Sequence, residues 1–142
     1  MPDENLKQLF LPGLNIQFPI SQKILDGKKT IETRTYPLPK KYEFQPMYLV
    51  ETPGSSGHFE TRISGIITFR GSYLYESETA FYQDSKHHLV TKNSPWAWKT
   101  KPKWAWVIAN VTAFTIPLSP GYEKRGIVFT RRMRPISAVV TF

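Results

Sequence analysis

Twelve prolines and eight glycines are spread along 142 residues, and this distribution limits what the chain can build. Proline gives no ladder donor and breaks helices, and glycine marks tight turns, so the texture is short strands cut by turns with room for a few short helices. Apolar residues make up 40% and aromatics 14%, enough apolar surface to offset the entropy of ordering one domain. There is no internal repeat or linker, so residues 1–142 read as one β-rich domain with 1–13 as an N-terminal extension. Cysteine is absent, which removes disulfides, thiolate metal sites and a cysteine nucleophile. No run of 18 apolar residues exists and the start is acidic and polar, so a soluble cytoplasmic protein with no membrane partner is expected.

Charge is uneven. Through residue 98 the chain carries 11 basic and 10 acidic side chains, whereas Lys99 to Arg134 carries 8 basic and only Glu123 acidic. A positive field of this kind attracts polyanions, so RNA or another single-stranded nucleic acid is the first partner to consider, with a nucleotide-like small molecule as the lesser form of the same ligand. The plain alternative is a solvated surface that keeps the chain soluble.

Local patterns place the elements. Asn15 to Phe18 reads as a strand, Pro19 to Ser21 opens a helical turn with Ile20, Ile24 and Leu25 on one side, and Gly27 stops it. Thr30 to Thr35 alternates as a half-buried strand would, with Thr30, Glu32 and Arg34 on one face. Pro37, Pro39 and the Lys40-Lys41 pair form a connection. Met47 to Thr52 and Ile63 to Arg70 read as a hairpin around Pro53-Gly54-Ser55-Ser56-Gly57. Ser77 to about Val90 fits one helix, with Ala80, Phe81, Asp84 and His88 at helical steps. Trp104 to Thr115 is apolar on both faces, as in a central or barrel strand. Ile127 to Arg131 and Ile136 to Phe142 read as two more strands divided by Arg131, Arg132, Arg134 and Pro135.

The chemistry-bearing stretch is Gly27-Lys28-Lys29-Thr30-Ile31-Glu32-Thr33-Arg34, a turn and strand that aim a cation, a hydroxyl, a carboxylate and a guanidinium at one region. On spacing alone Glu32 and Arg34 also suit an exposed salt bridge, worth under ~1 kcal/mol. If Glu32 pairs with Arg34, Lys29 lies beside a guanidinium and is free to act as a base; if it pairs with Lys29, the lysine is a phosphate or carbonyl clamp. His88 has two readings, a hydrogen-bonded core histidine or a residue of the cleft. Adjacent His87 and His88 point about 100° apart on a helix, so no metal site is expected, and no cofactor. Trp96 and Trp98 in a Pro-flanked loop, with Lys101 and Lys103 interleaved, suit base stacking and phosphate contact. Trp104 and Trp106 suit the core. Arg131, Arg132 and Arg134 form the densest cationic group, which suits a phosphate-binding rim.

Gly27, Lys29, Thr30, Glu32 and Arg34 fill the Gly-x-Lys-Thr-x-Glu-x-Arg signature of the ASCH domains of the PUA-like superfamily. The resemblance extends over roughly residues 14 to 130. It implies an α+β fold, a small PUA-like, mostly antiparallel β-barrel with short helices at its openings, and a cleft lined by the signature strand in a superfamily that commonly binds RNA. Within that family some members resemble binding modules of regulators, and others resemble hydrolases, a ribonuclease and a nucleoside amidohydrolase. In the amidohydrolase branch the lysine matching Lys29 is catalytic, with a threonine three residues on and an acid from the later helix; here Glu32 stands in the threonine's place. The resemblance therefore implies binding of RNA or a nucleotide-like ligand, with hydrolysis resting on Lys29, Glu32, Thr30 and Asp84 or His88, and Arg34 holding the ligand. The alternative is a non-catalytic interaction module in transcriptional or translational regulation.

Overall fold

The computed structural model describes residues 11–118 and, as backbone, 129–133. Its elements are β1 (Leu11–Gln17), α1 (Ile20–Leu25), β2 (Ile31–Arg34), a 3-10 turn (Lys40–Tyr42), β3 (Met47–Thr52), β4 (Arg62–Leu74), α2 (Glu78–Gln83), α3 (Ser85–His88), β5 (Trp104–Leu118) and β6 (Phe129–Met133). The expected α+β class with short helices holds. No helix among the described residues is long and apolar enough to cross a membrane. The described residues divide into two compact units, 11–26, 46–67, 111–118 and 129–133 in one and 27–45 and 68–110 in the other, with β4 and β5 each passing through both.

In the first unit the strand order is β5, β4, β3, β1, β6. β3 runs antiparallel to β4, with Met47 opposite Ile67 and Glu51 opposite Arg62, and parallel to β1, with Gly13 opposite Tyr48 and Gln17 opposite Thr52. β6 pairs antiparallel with β1. The sheet is thus mixed. Five consecutive β3 residues, Met47 to Glu51, are buried, as expected of a strand covered on both faces. Tyr48 and Val50 join Leu11, Ile63, Ile66, Phe114 and Leu118 in one apolar cluster. A Cβ on Gly65 would lie 2.4 Å from the Thr112 carbonyl oxygen and 3.0 Å from the Leu25 side chain, so glycine lets β4 approach both β5 and α1.

In the second unit β2 pairs antiparallel with β5, from Ile31 opposite Val107 to Arg34 opposite Trp104. Ile31, Tyr75, Phe81, Val90 and Ala105 form its apolar cluster. Trp106 is fully buried, edge-on to Phe69 and Tyr36, and its indole N–H donates to the Tyr36 carbonyl at 3.0 Å. Trp104 is half-buried.

Several boundaries move. β1 begins at Leu11, inside the segment read as an extension, because pairing with β3 and β6 recruits residues whose own pattern is interrupted by Pro12 and Gly13. The single helix expected from Ser77 to Val90 is two. Ser77 caps α2 by accepting the Ala80 N–H at 3.1 Å, the chain leaves helical geometry at Asp84, and Leu89, at φ +60, ends α3. Arg131 and Arg132 lie within β6 rather than between two strands; the expected strand Ile136 to Phe142 lies outside the described residues.

Candidate functional site

Gly27, at φ +83, takes the left-handed conformation that ends α1 and turns the chain into β2. Lys29 follows. It is 4% exposed, and its Nζ donates to the His88 carbonyl and lies 3.9 Å from Glu32 Oε1. The turn is pinned by the backbone of Thr30, whose N–H donates to the His87 carbonyl at 2.9 Å and whose carbonyl accepts the Ile108 N–H at 3.1 Å. Thr30 lies before β2 and is exposed, so its hydroxyl does not share the buried position of Glu32.

Glu32 is 8% exposed. Its Oε2 accepts from Arg34 Nε at 3.0 Å and from Nη2 at 2.8 Å, both guanidinium donors on one oxygen. The guanidinium carbon is also 5.5 Å from the Trp106 ring centre, within cation–π range. The two pairings considered for Glu32 therefore coexist: one oxygen takes Arg34 and the other faces Lys29. Lys103, expected as a loop clamp, is buried. Burial first, and then the Lys99 ammonium, lower its pKa, while the Glu32 carboxylate opposes them. Three cations thus share the field of one carboxylate.

Asp84 belongs to a different group of contacts. Oδ2 accepts from Tyr73 at 2.9 Å and from Tyr75, and Oδ1 meets His87 Nδ1 at 2.5 Å. Burial pulls the Asp84 pKa upward, but the bonds from His87, Tyr75 and Tyr73 together outweigh it and hold it low. Burial and the Asp84 contact both raise Tyr75. Tyr73, Tyr75 and Asp84 line a shallow depression of about 350 Å³. In these contacts Asp84 serves two phenols and an imidazole, not Lys29.

His88 is a core histidine, a correction to its placement in the cleft. It is fully buried, stacks on Phe81 with ring centres 4.2 Å apart, accepts the Val90 N–H at Nδ1 and places Nε2 2.7 Å from the Phe81 carbonyl. This pattern requires a neutral ring with the proton on Nε2. Burial, above all, lowers its pKa. Since the folded value lies below the ordinary 6.5, its contribution is complete above that pH and is lost as pH falls through the folded value. The urea midpoint should accordingly fall between pH 7.5 and 5.5, and less steeply in His88→Gln; equal slopes would contradict this.

Trp98 is also corrected. It packs half-buried against the second apolar cluster, its ring centre 5.7 Å from Phe81, with its backbone N–H donating to Tyr82. Trp96 and Lys101 are exposed. Arg131 and Arg132 are described as β6 backbone alone, and Arg134 lies outside the described residues.

Three features escaped the sequence reading. The His87 ring, not that of its neighbour, contacts the Asp84 carboxylate, and the three-residue spacing was the available signal. Tyr73 and Tyr75, two apart in a strand, share a face for the same reason. The third is Glu51 in the first unit, fully buried and bonded to Ser21, Gln22, Arg62 and Ser64. Its donors are separated from it by 11 to 30 positions, so no local pattern revealed it.

No protein-family model matches the chain and no curated protein matches its sequence. Among solved structures it is similar to ASCH from Zymomonas mobilis, with a TM-score of 0.60 and 14% identity over 76% of this chain and 72% of that one. It is likewise similar to a serine-to-alanine mutant of that protein, with a TM-score of 0.62 and 13% identity over 84% and 86%. A tyrosine-to-phenylalanine mutant gives a TM-score of 0.58 at 14% identity over 76% and 74%. The likeness is one of fold, and it agrees with the resemblance carried by Gly27, Lys29, Thr30, Glu32 and Arg34.

Proposed function

We propose that this chain, which has the fold of ASCH proteins, binds single-stranded RNA or a nucleotide through a phosphate held at the Lys29, Glu32, Arg34 and Lys103 group. One observation carries the reading: three cations with little exposure share one carboxylate, and among them Lys103 already has its charge disfavoured by burial and by Lys99. An incoming phosphate relieves that imbalance, and it gains most where water is scarce. Arg34, 14% exposed at its side chain, supplies the planar fork that suits phosphate oxygens.

Binding accounts for this geometry better than hydrolysis does. A lysine acting as base must present a lone pair, whereas Lys29 Nζ serves as donor to the His88 carbonyl and faces an acid. Hydrolysis of RNA or an acylated nucleoside would need that donor role to be released.

A labelled oligouridylate followed by fluorescence anisotropy tests the proposal. If the group neutralises one phosphate, affinity should fall roughly 2–3-fold between 50 and 200 mM salt, and uridine monophosphate should compete. A flat salt response with no competition would overturn the reading and leave an interaction module. Mass spectrometry of total RNA and modified nucleosides after incubation separates capture from turnover.

A further inference from the structure

Phe44 is the most exposed large apolar side chain among the described residues at 67%, and it is held at φ +57. A bulky residue seldom adopts that conformation, because its Cβ crowds the backbone. The surrounding chain enforces it. The Tyr42 N–H donates to the Pro39 carbonyl at 2.9 Å, that of Glu43 to Lys40 at 3.0 Å, and that of Gln45 to Tyr42 at 3.2 Å. The Phe44 N–H donates to the carbonyl of Phe69, a buried residue of β4, at 2.7 Å, and Glu43 bridges to the same residue. Glycine or asparagine would make this turn with less strain, so the backbone does not explain a phenylalanine here. Nor does packing, since most of the ring faces solvent. Strain kept at an exposed aromatic on a rigid support points to something outside the chain.

The neighbours define its chemistry. Lys40 and Lys41 are exposed on the same short turn, with Lys41 Nζ 5.1 Å from the Tyr42 ring centre. An aromatic face beside two cations, on a chain of net charge +8, suits a nucleobase and its flanking phosphates.

We propose that Phe44 is a stacking platform for a base of single-stranded nucleic acid, with Lys40 and Lys41 contacting the adjoining phosphates. It rests on the nucleic-acid reading above and extends it to a second contact, one that a mononucleotide bound at Arg34 does not need. Holding the Phe44 backbone in advance spares part of the ordering cost on binding.

The test measures a labelled ten-nucleotide oligouridylate and uridine monophosphate against the native chain and three variants. Phe44→Ala should weaken the oligonucleotide about tenfold and leave the mononucleotide unchanged, while Phe44→Trp should keep or improve binding. Phe44→Asn should weaken the oligonucleotide equally and raise the thermal midpoint by about 1–4 °C, because asparagine tolerates positive φ. Oligonucleotide affinity within twofold of native in Phe44→Ala would overturn the proposal. So would a lower midpoint in Phe44→Asn, which would give the ring a packing role, or a dimer in sedimentation that Phe44→Ala abolishes. Mononucleotide binding that survives while the oligonucleotide is indifferent to Phe44 leaves the phosphate site standing; failure of the native chain to bind either ligand removes both.

Discussion

Replacing Glu51 with alanine should cost about 3–4 kcal/mol of folding stability, a large part of the 5–15 kcal/mol typical of a domain. The carboxylate is fully buried. Oε1 takes Arg62 Nε at 2.8 Å and the Ser64 hydroxyl at 2.6 Å, while Oε2 takes the Ser21 hydroxyl at 2.5 Å and Gln22 Nε2 at 2.7 Å. Removing it strands the Ser21 and Ser64 hydroxyls, both buried, and opens a void in β3. Arg62 is less affected: it is partly exposed and its guanidinium carbon stands 3.8 Å from the Phe59 ring centre. Glu51→Gln keeps the volume but turns one acceptor into a donor facing donors, so it should cost about 1–3 kcal/mol. Thermal midpoints roughly 10–20 °C lower in Glu51→Ala would match this cost; a drop under about 2 °C would contradict it.

The same residue gives the acid limb its shape. Burial raises the Glu51 pKa, but the bonds from Ser21, Ser64, Gln22 and Arg62 together outweigh it and hold the folded value below the ordinary 4.5. Its stabilisation is therefore complete above 4.5 and is lost as pH falls through the folded value. Acid unfolding should proceed in two windows, the first from His88 below 6.5 and the second from Glu51 below 4.5, joined by Asp84 below 3.8. Glu51→Gln should flatten the lower window alone.

Replacing Lys29 with methionine should have the largest effect on binding. A buried charge with hydrogen-bonded partners typically loses 2–5 kcal/mol of affinity when truncated, so nucleotide binding should weaken about 30-fold or more. Methionine fills similar space, so the core should persist. The His88 carbonyl loses the Lys29 donor, and Glu32 retains Arg34, so the thermal midpoint should fall by only a few degrees. Arg34→Lys isolates the other half of the group. It keeps the charge and loses the fork, and it should weaken binding by less than Lys29→Met. Native affinity in both variants would place any phosphate elsewhere and end the proposed function.

Much of the fold was legible because it is local. Gly27 stops α1, Ser77 caps α2, alternation marks β2, and short apolar runs mark β3, the start of β4 and β5; these depend on residues within a few positions, where backbone sterics and side-chain direction act. The grouping of Lys29, Glu32 and Arg34 was visible for the same reason. Even there, the reading of Thr30 as their partner depended on the strand starting one residue sooner than it does.

What the sequence settled by itself is thus short-range: a turn-rich α+β chain, without cysteine chemistry, carrying a cation–acid–guanidinium segment after a glycine stop. Tertiary structure alone decided which charges lost their water. It buried Lys103, drew His88 into stacking on Phe81, laid Trp98 on the same cluster, and surrounded Glu51 with donors from α1 and β4. Desolvation depends on every atom that approaches in space, and those atoms come from segments tens of residues apart, beyond the reach of any local pattern.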